Sequence, residues 1–264
     1  MQLEVDVAFT WKEVADRKSF SPQVAVVIDV LRATSTMVAA LAHGAQAIVP
    51  TTTVEEAWAL RSRYLNSGFR HPLLLGGERG GVKIEGFDLG NSPGEYTPER
   101  VAEKTIIFST TNGTQALAAA RSLPEPKVIL AAALLNARAA SDYISQLAQN
   151  QSGSPAREAF KLLLICSGTE GRVSAEDTVA AGSIVHRLHL SFPLLTPTDA
   201  AMVAEAFYLT YRSRLPDLLL GTKHGQKLAA LGFQDDLSFC AREDEFVLVP
   251  IWAGDRLRAA TPAV

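Results

Sequence analysis

Acidic, hydroxyl and glycine residues gather in four segments, each of which follows a run predicted to be a β-strand. In the first segment, Asp29 ends an apolar run and Arg32 follows three residues later. The next helix opens with three hydroxyl residues, Thr34, Ser35 and Thr36. A buried carboxylate must be hydrogen-bonded, paired or bound to a metal, and the free N–H groups of a helix start favour an anion. The segment fits a phosphate site, and it fits an Asp–Arg pair with an ordinary helix cap equally well.

The second segment, 76–81, places paired glycines on each side of Glu78 and Arg79. Glycine lets the backbone approach a ligand closely, but the spacing matches neither the dinucleotide-binding fingerprint nor the P-loop pattern. Asn91 and Ser92 come further along, directly before a proline. They are consistent with a ligand-binding loop and with a plain turn into a helix.

The third segment lies between a predicted strand and a predicted helix and is rich in small polar residues. It consists of Ser109, Thr110, Thr111, Asn112, Gly113 and Thr114. A structural turn rarely needs so many hydroxyl and amide groups, so the composition favours an oxyanion-binding role. We expect Gly113 to let an anion approach the helix N–H groups and to be free to adopt a positive φ angle.

The fourth segment, 166–177, ends in Ser174 followed by Glu176 and Asp177. A serine with an acid three residues later is typical of a capping box, here with Asp177 in place of glutamate. The two acids also carry the oxygen ligands that Mg²⁺ prefers. Spacing alone favours the interpretation as a helix cap.

Two histidines and two cysteines are interpreted as structural. His186 and His189 could share one face of a helix, but neither a nearby acid nor a third histidine completes a zinc set. Cys166 and Cys240 lie in apolar runs and form no CxxC pair, which predicts buried, reduced thiols. The chain has no G-x-S-x-G nucleophile elbow, so the sequence does not support a serine hydrolase.

Short apolar runs rich in β-forming residues alternate with helical patterns, and the four segments lie between predicted strands and helices. The predicted strands cover 3–8, 24–30, 45–49, 72–75, 105–108, 127–131, 162–166 and 246–249. The predicted helices cover 35–43, 54–64, 114–122, 137–149, 175–190, 198–214 and 221–231. Apolar strands without alternation are typical of sheets covered on both faces. We therefore predict a three-layer α/β fold with a mixed, largely parallel sheet flanked by helices.

The alternation of predicted strands and helices continues to the end of the chain, which predicts a single α/β domain over residues 1–264. The polar stretch at 150–156 is predicted to be a surface loop within this domain. Apolar residues make up 47% and charged residues 20%, as in ordinary globular proteins. The formal net charge is -3, and the basic residues are scattered. This charge pattern argues against a nucleic-acid partner.

The sequence also predicts the cellular location of the protein and the kind of partner that it binds. Its first residues lack the basic region and apolar run of a signal peptide, and no apolar run approaches the roughly 20 residues of a membrane span. We expect a cytoplasmic protein without a membrane partner. Its partners are then a small molecule or a second copy of the chain, as a homodimer.

Taken together, the segments resemble the 2-phosphosulfolactate phosphatase family from about the first strand to the last. The motifs that carry the resemblance lie at 29–36, 77–79, 86–93, 109–114, 175–177 and 231–236, and continue with Cys240, Val249 and Pro250. The resemblance implies Mg²⁺-dependent release of phosphate from 2-phospho-3-sulfolactate, on the way to coenzyme M or sulfolactate. It also implies an α/β fold different from the common phosphatase folds.

On this hypothesis Mg²⁺ is held by acids and the substrate by cations. The assigned metal ligands are Asp29 and Glu78, with Glu176 or Asp177 as a further ligand. The assigned catalytic residues are Asp29, Arg32, Glu78 and Arg79, of which the two arginines neutralise charge. Asp29 lacks the D-x-D-x-T arrangement of aspartyl-phosphate phosphatases, so we favour attack by a metal-activated water.

Substrate binding is assigned to the small polar residues. They are Thr34, Ser35, Thr36, Asn91, Ser92, Thr110, Thr111, Asn112, Gly113 and Thr114. The sulfonate has three candidate partners, Arg32, Arg79 and Arg172.

Two other functions remain open at this point. The first is a non-catalytic protein that binds an anionic metabolite, although such a protein gains nothing from carboxylates beside its anion unless a metal intervenes. The second is a lyase or transferase that acts on another small phosphorylated hydroxy acid, which the same polar loops could bind.

Overall fold

The fold is built on one mixed sheet with helices on both faces. A computed structural model of the chain describes residues 2–124, 126, 128–150 and 159–262. In these residues the sheet has eleven strands in the order β5-β4-β6-β3-β11-β10-β7-β2-β8-β1-β9. The predicted three-layer α/β class is confirmed.

The strands and helices alternate along most of the chain. The strands are β1 Leu3–Ala8, β2 Val24–Ile28, β3 Ala47–Thr51, β4 Leu73–Arg79, β5 Val82–Lys83, β6 Thr105–Ser109, β7 Val128–Ala132, β8 Phe160–Cys166, β9 Leu195–Pro197, β10 Val249–Ala253 and β11 Arg256–Ala260. The α-helices are α1 Ala33–Ala42, α2 Val54–Asn66, α3 Pro98–Val101, α4 Gly113–Arg121, α5 Ala137–Asn150, α6 Ala175–Ser191, α7 Asp199–Tyr211, α8 Leu215–Gly221, α9 Lys223–Ala230 and α10 Gln234–Cys240. Short 3₁₀ segments cover Trp11–Phe20, Pro93–Glu95 and Leu134–Asn136.

Most predicted elements are present, with ends displaced by a few residues. The strand predicted at 246–249 is wrong except for Val249, because the Phe246 N–H donates to the Leu135 carbonyl outside the sheet. The helix predicted at 221–231 begins later, where the Thr222 side chain accepts the Gly225 N–H as an N-cap. Strands β5, β9 and β11 and helices α8 and α10 were not predicted.

The sheet has two parallel groups joined by an antiparallel hairpin. β4, β6 and β3 form one group, and β7, β2, β8, β1 and β9 form the other. The hairpin of β10 and β11 lies between them, and each of its strands runs antiparallel to its outer neighbour. Three reversals separate β3 from β7, so the two parallel groups run in opposite directions.

Helices α1 and α4 bring the two groups together. Both helices pack against strands of each group, and their apolar side chains share one buried cluster with residues of β2, β6, β7 and β8. The sheet therefore curls around these two helices. As a result, the carboxyl end of β2 and that of β6 lie side by side, although their strands run in opposite senses.

The opposite face of the second group is covered by α5, α6 and α7. Val24, Val26 and Ile28 of β2 point into this layer, whereas Ala25 and Val27 point towards α1 and α4. All five side chains are buried, which is why the strand shows no polar alternation in sequence.

Three sequence expectations about individual positions are decided by the fold. Cys166 and Cys240 are buried free thiols, as predicted. His186 and His189 do face a nearby acid, Glu205 of α7, which the sequence did not reveal. Among the described residues, no three His, Cys, Asp or Glu side chains are grouped so as to hold a metal. The structural role of the two histidines stays a prediction.

Other expectations stay predictions. The surface loop predicted at 150–156 lies outside the described residues, apart from Asn150 at the end of α5. The single-domain organisation is not tested. Within the described part of the chain, no helix has the length and apolar character needed to cross a membrane.

The packing of α6 against α7 generates a prediction, because α6 carries two of the acids of the candidate site. A Cβ on Gly182 of α6 would lie 1.9 Å from the Ala204 carbonyl oxygen of α7. We expect Gly182→Ala to lower the free energy of unfolding by about 1–3 kcal/mol, as overpacking does. Gly221→Ala is the matched control, since nothing lies within 4 Å of its Cβ position. Equal unfolding midpoints in urea for both variants would contradict this close helix packing.

Candidate active site

Four carboxylates meet at the centre of the molecule. Asp29 follows β2, Glu78 belongs to β4, and Glu176 and Asp177 form the first turn of α6. Each residue is between 3% and 7% exposed. Asp29 is repelled by Glu78 and Glu176, and Asp177 by Asp29 and Glu176, so these acids from distant parts of the chain lie within electrostatic reach of one another. Among the described residues, however, no three of them are grouped so as to hold one metal ion.

Hydrogen bonds inside the protein hold the Asp29 loop in place. The Ala33 N–H donates to Asp29 Oδ1 at 3.1 Å. The Thr34 hydroxyl donates to the Asp29 carbonyl at 2.8 Å and accepts the Asp29 N–H at 2.9 Å. The Ser35 hydroxyl donates to the Val30 carbonyl at 2.7 Å. These contacts fix the residues that follow β2, including Asp29 with its carboxylate. The side chains of Thr34 and Ser35 are fully buried.

Backbone N–H groups hold the Asp177 carboxylate. Asp177 accepts the Val30 N–H at 2.9 Å with one oxygen and the Gly168 N–H at 3.0 Å with the other. This ties α6 to the ends of β2 and β8. The Ser174 hydroxyl also accepts the Asp177 N–H at 3.2 Å, which confirms the predicted N-cap. The reciprocal half of the expected capping box is not formed, because the Asp177 carboxylate accepts the Val30 and Gly168 N–H groups instead.

Glu78 joins the second loop to the third. One carboxylate oxygen accepts the Gly81 N–H at 2.7 Å, and the other accepts the Thr111 N–H at 2.8 Å. The glycine-rich turn and the start of α4 are thus held by a single side chain.

Burial raises the pKa values of Asp29, Glu176 and Asp177, and repulsion from neighbouring acids adds to this for Asp29 and Asp177. Burial is the main cause for Asp29, whose pKa rises from 3.8 to about 7, with further contributions from Glu78 and Glu176. Burial raises the pKa of Asp177 well above its usual value, and the charges of Asp29 and Glu176 add to it. Burial also raises the pKa of Glu176. The group carries more negative charge than its surroundings compensate, which favours a cation.

Arg32 is fixed by residues from the C-terminal part of the chain. Its guanidinium donates to Asp236 Oδ2 and to the Gly81 carbonyl, both at 2.7 Å, and lies 4.2 Å from the ring centroid of Phe233. Asp236 in turn accepts the Ser92 hydroxyl at 2.6 Å. Arg32 is only 2% exposed, so its charge is balanced by a buried ion pair.

A polar cavity of about 150 Å³ opens beside these groups, and we call it the first compartment. Among the predicted site residues, those on its wall are Asp29, Arg32, Glu78, Asn91, Thr111 and Asn112. The amide oxygen Oδ1 of Asn91 is buried and has no hydrogen-bond partner among the described residues. Such an atom is costly unless a ligand or water meets it.

A neighbouring cavity of about 200 Å³, the second compartment, shares part of its wall with the first. The shared residues are Thr169, Glu170 and His224. Arg172 and Glu176 also line the second compartment. The two compartments together form one cleft at the ends of β2 and β8.

Several predicted substrate-binding residues do not line either compartment. They are Thr34, Ser35, Thr36, Ser92, Thr110, Gly113 and Thr114. Their polar groups make contacts inside the protein instead. The Thr36 hydroxyl donates to the Asn91 carbonyl at 2.8 Å, and the Thr114 hydroxyl donates to the Thr110 carbonyl at 2.8 Å. In this structure these residues shape the loops that carry the cavity wall.

Arg79 also points away from both compartments. Its guanidinium donates to the Glu78 carbonyl at 2.7 Å and to the Ser109 hydroxyl at 2.9 Å. It thereby links the end of β4 to the end of β6.

Gly113 does not have the positive φ angle that was expected. It begins α4 in a helical conformation. A Cβ at this position would lie 2.5 Å from the Ala33 Cβ and 2.8 Å from Asp29 Oδ2. Glycine is needed because α1, α4 and the Asp29 carboxylate approach one another closely.

Sequence reasoning missed four residues of the first compartment: Thr169, Glu170, His224 and Lys227. His224 and Lys227 belong to α9, and nothing in the local sequence there signals a site. Thr169 and Glu170 lie in the fourth segment but were not singled out. Asp236 was noted within a motif, although its ion pair with Arg32 could not be predicted.

Comparison with known proteins shows the family of the chain. The chain matches the family model described as 2-phosphosulpholactate phosphatase over residues 9–255. The chain belongs to this family. A probable 2-phosphosulfolactate phosphatase of Thermotoga petrophila is 40% identical over 226 residues, which are 86% of this chain and 87% of the relative. Proteins of the same description from Synechococcus sp. (strain JA-3-3Ab) and Pseudothermotoga lettingae are also similar. The Synechococcus protein is 42% identical over 87% of this chain and 88% of its own length. The Pseudothermotoga lettingae protein is 36% identical over 98% of this chain and 100% of its own length.

The family membership predicted from the motifs is confirmed, and with it the enzyme class, a phosphoric monoester hydrolase. The match covers every segment from which the four carboxylates and Arg32 come. The cleft built from these segments is therefore the candidate active site.

The contact between Gly113 and Asp29 generates a prediction. In Gly113→Ala, the new Cβ must displace Ala33 or the Asp29 carboxylate, so we expect loss of phosphatase activity and about 1–3 kcal/mol lower unfolding free energy. The matched control is Gly94→Ala, whose Cβ would meet only the Ser92 hydroxyl at 3.7 Å. Activity assays and thermal melts of both variants test this, and normal turnover in Gly113→Ala would contradict the assigned geometry.

Proposed function

We propose that this protein is a Mg²⁺-dependent phosphatase that hydrolyses 2-phospho-3-sulfolactate to 3-sulfolactate and phosphate. The observation that carries the proposal is the group of four buried carboxylates beside a polar cavity that also contains cationic side chains. Phosphoryl transfer needs this combination, because the cations offset the charge of the phosphate and the acids hold a metal. The description of the relatives supports the substrate.

The acids fit Mg²⁺ better than they fit a metal enclosed by protein ligands alone. Among the residues that the structure describes, no three such side chains are placed to surround an ion. Mg²⁺ is usually held by one or two carboxylates and completed by water and substrate phosphate. Asp29 and Glu78 on the wall of the first compartment, with Glu176 on the wall of the second, provide such a partial set.

The roles of Mg²⁺ and of the charged residues around it follow from their positions in the cleft. Mg²⁺ would supply a Lewis acid for the phosphate oxygens and lower the pKa of a water molecule. Asp177, with both oxygens occupied by backbone N–H groups, orients the loops that carry Asp29. Arg32 and Lys227 contribute positive charge on the wall that faces these acids.

Hydrolysis forms a bond between a water oxygen and phosphorus and breaks the bond between phosphorus and the ester oxygen of the substrate. One proton leaves the attacking water, and one proton reaches the alkoxide that departs. Asp29 and Glu78 are the carboxylates on the wall where the phosphate would lie. We assign the attack to water, and an Asp29 phospho-enzyme is the alternative that a trapping experiment with labelled substrate would reveal.

Metal removal tests the first part of the proposal. We expect extensive chelation to abolish phosphate release from 2-phospho-3-sulfolactate and Mg²⁺ to restore it, because four buried acids repel the substrate without a cation. Mg²⁺ should also raise the melting temperature of the chelated protein, since it binds only the folded state. Undiminished turnover after chelation would show that the metal assignment is wrong.

Asp29→Asn separates a catalytic from a structural carboxylate. The amide retains the shape of the side chain and removes the charge, so we expect turnover to be lost while the fold persists. The folded protein binds the Asp29 proton more tightly than the unfolded chain, since the pKa rises from 3.8 to about 7. The metal-free wild type should therefore lose stability as the pH rises through this interval.

The variant lacks this titration, so its melting temperature relative to the metal-free wild type should increase from pH 5 to pH 8. Asp255→Asn, at an exposed position, is the control and should change neither quantity. A variant of Asp29 that loses stability together with activity would instead favour a structural ion pair.

A non-catalytic anion-binding protein would give a different result in the same assays. It would bind small phosphate esters without releasing phosphate, with or without Mg²⁺. A panel of small phosphate esters, each incubated with Mg²⁺ and with chelator, distinguishes the two functions.

A further inference from the structure

The second compartment contains two cationic side chains that have no partner in the protein. Arg172 lies in the loop after β8 and Lys223 begins α9, and both are exposed. No hydrogen bond or ion pair joins either side chain to another residue in the described ranges. Unpaired cations on a concave wall are available to an anionic ligand.

The other candidate arginines are already engaged. Arg32 donates to Asp236 and to the Gly81 carbonyl, and Arg79 donates to the Glu78 carbonyl and to Ser109. A second anionic group of the substrate would have to compete with these internal bonds. Among the described residues that line the cleft, the cationic side chains without a bond to the protein are therefore Arg172 and Lys223 in the second compartment and Lys227 in the first.

His224 connects the two compartments, because it lines both. Its Nδ1 atom is buried and makes no hydrogen bond to any described residue. A buried polar atom without a partner costs free energy unless a ligand or water completes it. A ligand that extends from the first compartment into the second would contact the His224 side chain, because this residue lines both.

The acids on the same wall limit where an anion can lie. Glu176 belongs to the carboxylate group assigned to Mg²⁺, and Glu170 is exposed at the boundary of the two compartments. An anion in this compartment would be attracted by Arg172 and Lys223 and repelled by Glu170 and Glu176, so its favoured position is the one nearest the two cations.

We propose that Arg172, Lys223 and His224 form the subsite for the substrate's acid group farthest from the phosphate, which in 2-phospho-3-sulfolactate is the sulfonate. This inference rests on the proposed function. The phosphate occupies the first compartment, and the carbon chain passes His224. A sulfonate is permanently ionised and has three acceptor oxygens, so two separate cations and a further donor suit it.

The subsite has a consequence for specificity. Phosphate esters that lack the remote acid group lose these contacts and keep the contacts of the first compartment. The protein should therefore discriminate between 2-phospho-3-sulfolactate and 2-phospholactate through residues that do not touch the phosphate.

The test compares these two substrates in Lys223→Gln, Arg172→Gln and the double variant, all with Mg²⁺ present. We expect kcat/KM for the sulfonated substrate to fall about tenfold or more in the double variant, since hydrogen bonds to charged groups are lost. For 2-phospholactate it should change less than about twofold. Lys161→Gln, which changes a lysine paired with Glu4 on β1, is the matched control and should affect neither substrate.

Binding of 3-sulfolactate, measured by titration calorimetry, gives a readout that does not need turnover. Its affinity should fall about tenfold or more in the double variant and stay unchanged in Lys161→Gln. Unchanged affinity, or an equal loss of kcat/KM for both substrates, would overturn the subsite. A wild type that releases no phosphate from either substrate would overturn the proposed function, and the binding measurement would still decide the subsite.

Discussion

The structure depends on the cost of burying like charges. Asp29, Glu78, Glu176 and Asp177 are enclosed together, which no apolar core tolerates without compensation. Backbone N–H groups from four different loops supply part of that compensation. The hydroxyl and glycine residues of the loops are arranged to deliver these N–H groups. Burial and repulsion between the acids still hold the pKa values of Asp29 and Asp177 above their usual range.

The second constraint is geometric. The strands that carry the acids belong to two parallel groups of opposite direction, so a common sheet edge cannot assemble them. Helices α1 and α4 do so instead, because both groups pack against them. Gly113 is the closest point of this assembly, where α4 passes Ala33 and Asp29 without room for a side chain. The site and the core are therefore parts of one packing arrangement.

Opposite charge in the cleft comes from the C-terminal part of the chain. Helix α9 brings His224 and Lys227, and α10 brings Asp236, which fixes Arg32 in a buried ion pair. Loss of one partner from a buried pair of this kind typically costs about 3–5 kcal/mol. Two of the four acids, Asp29 and Glu78, come from the first half of the chain, and the second half supplies Glu176, Asp177 and the residues that complete the cleft wall.

The sequence by itself determined the fold class, the family and the position of the four polar segments. It could do so because buried strands, helix caps and loop composition are local properties, and because Asp29, Glu78, Glu176 and Asp177 follow or end predicted strands. It also identified six residues of the first compartment.

Only the tertiary structure decided which polar groups face the cleft and which face the protein. The hydroxyls of Thr34 and Thr114 donate to backbone carbonyls of their own loops. Arg79 donates to groups at the ends of β4 and β6. The sequence had indicated a ligand-binding or catalytic role for all three residues. Helix α9 enters the cleft through long-range packing that leaves no local pattern. Hydrogen-bond partners and burial arise from contacts between distant segments, and residue type alone does not specify them.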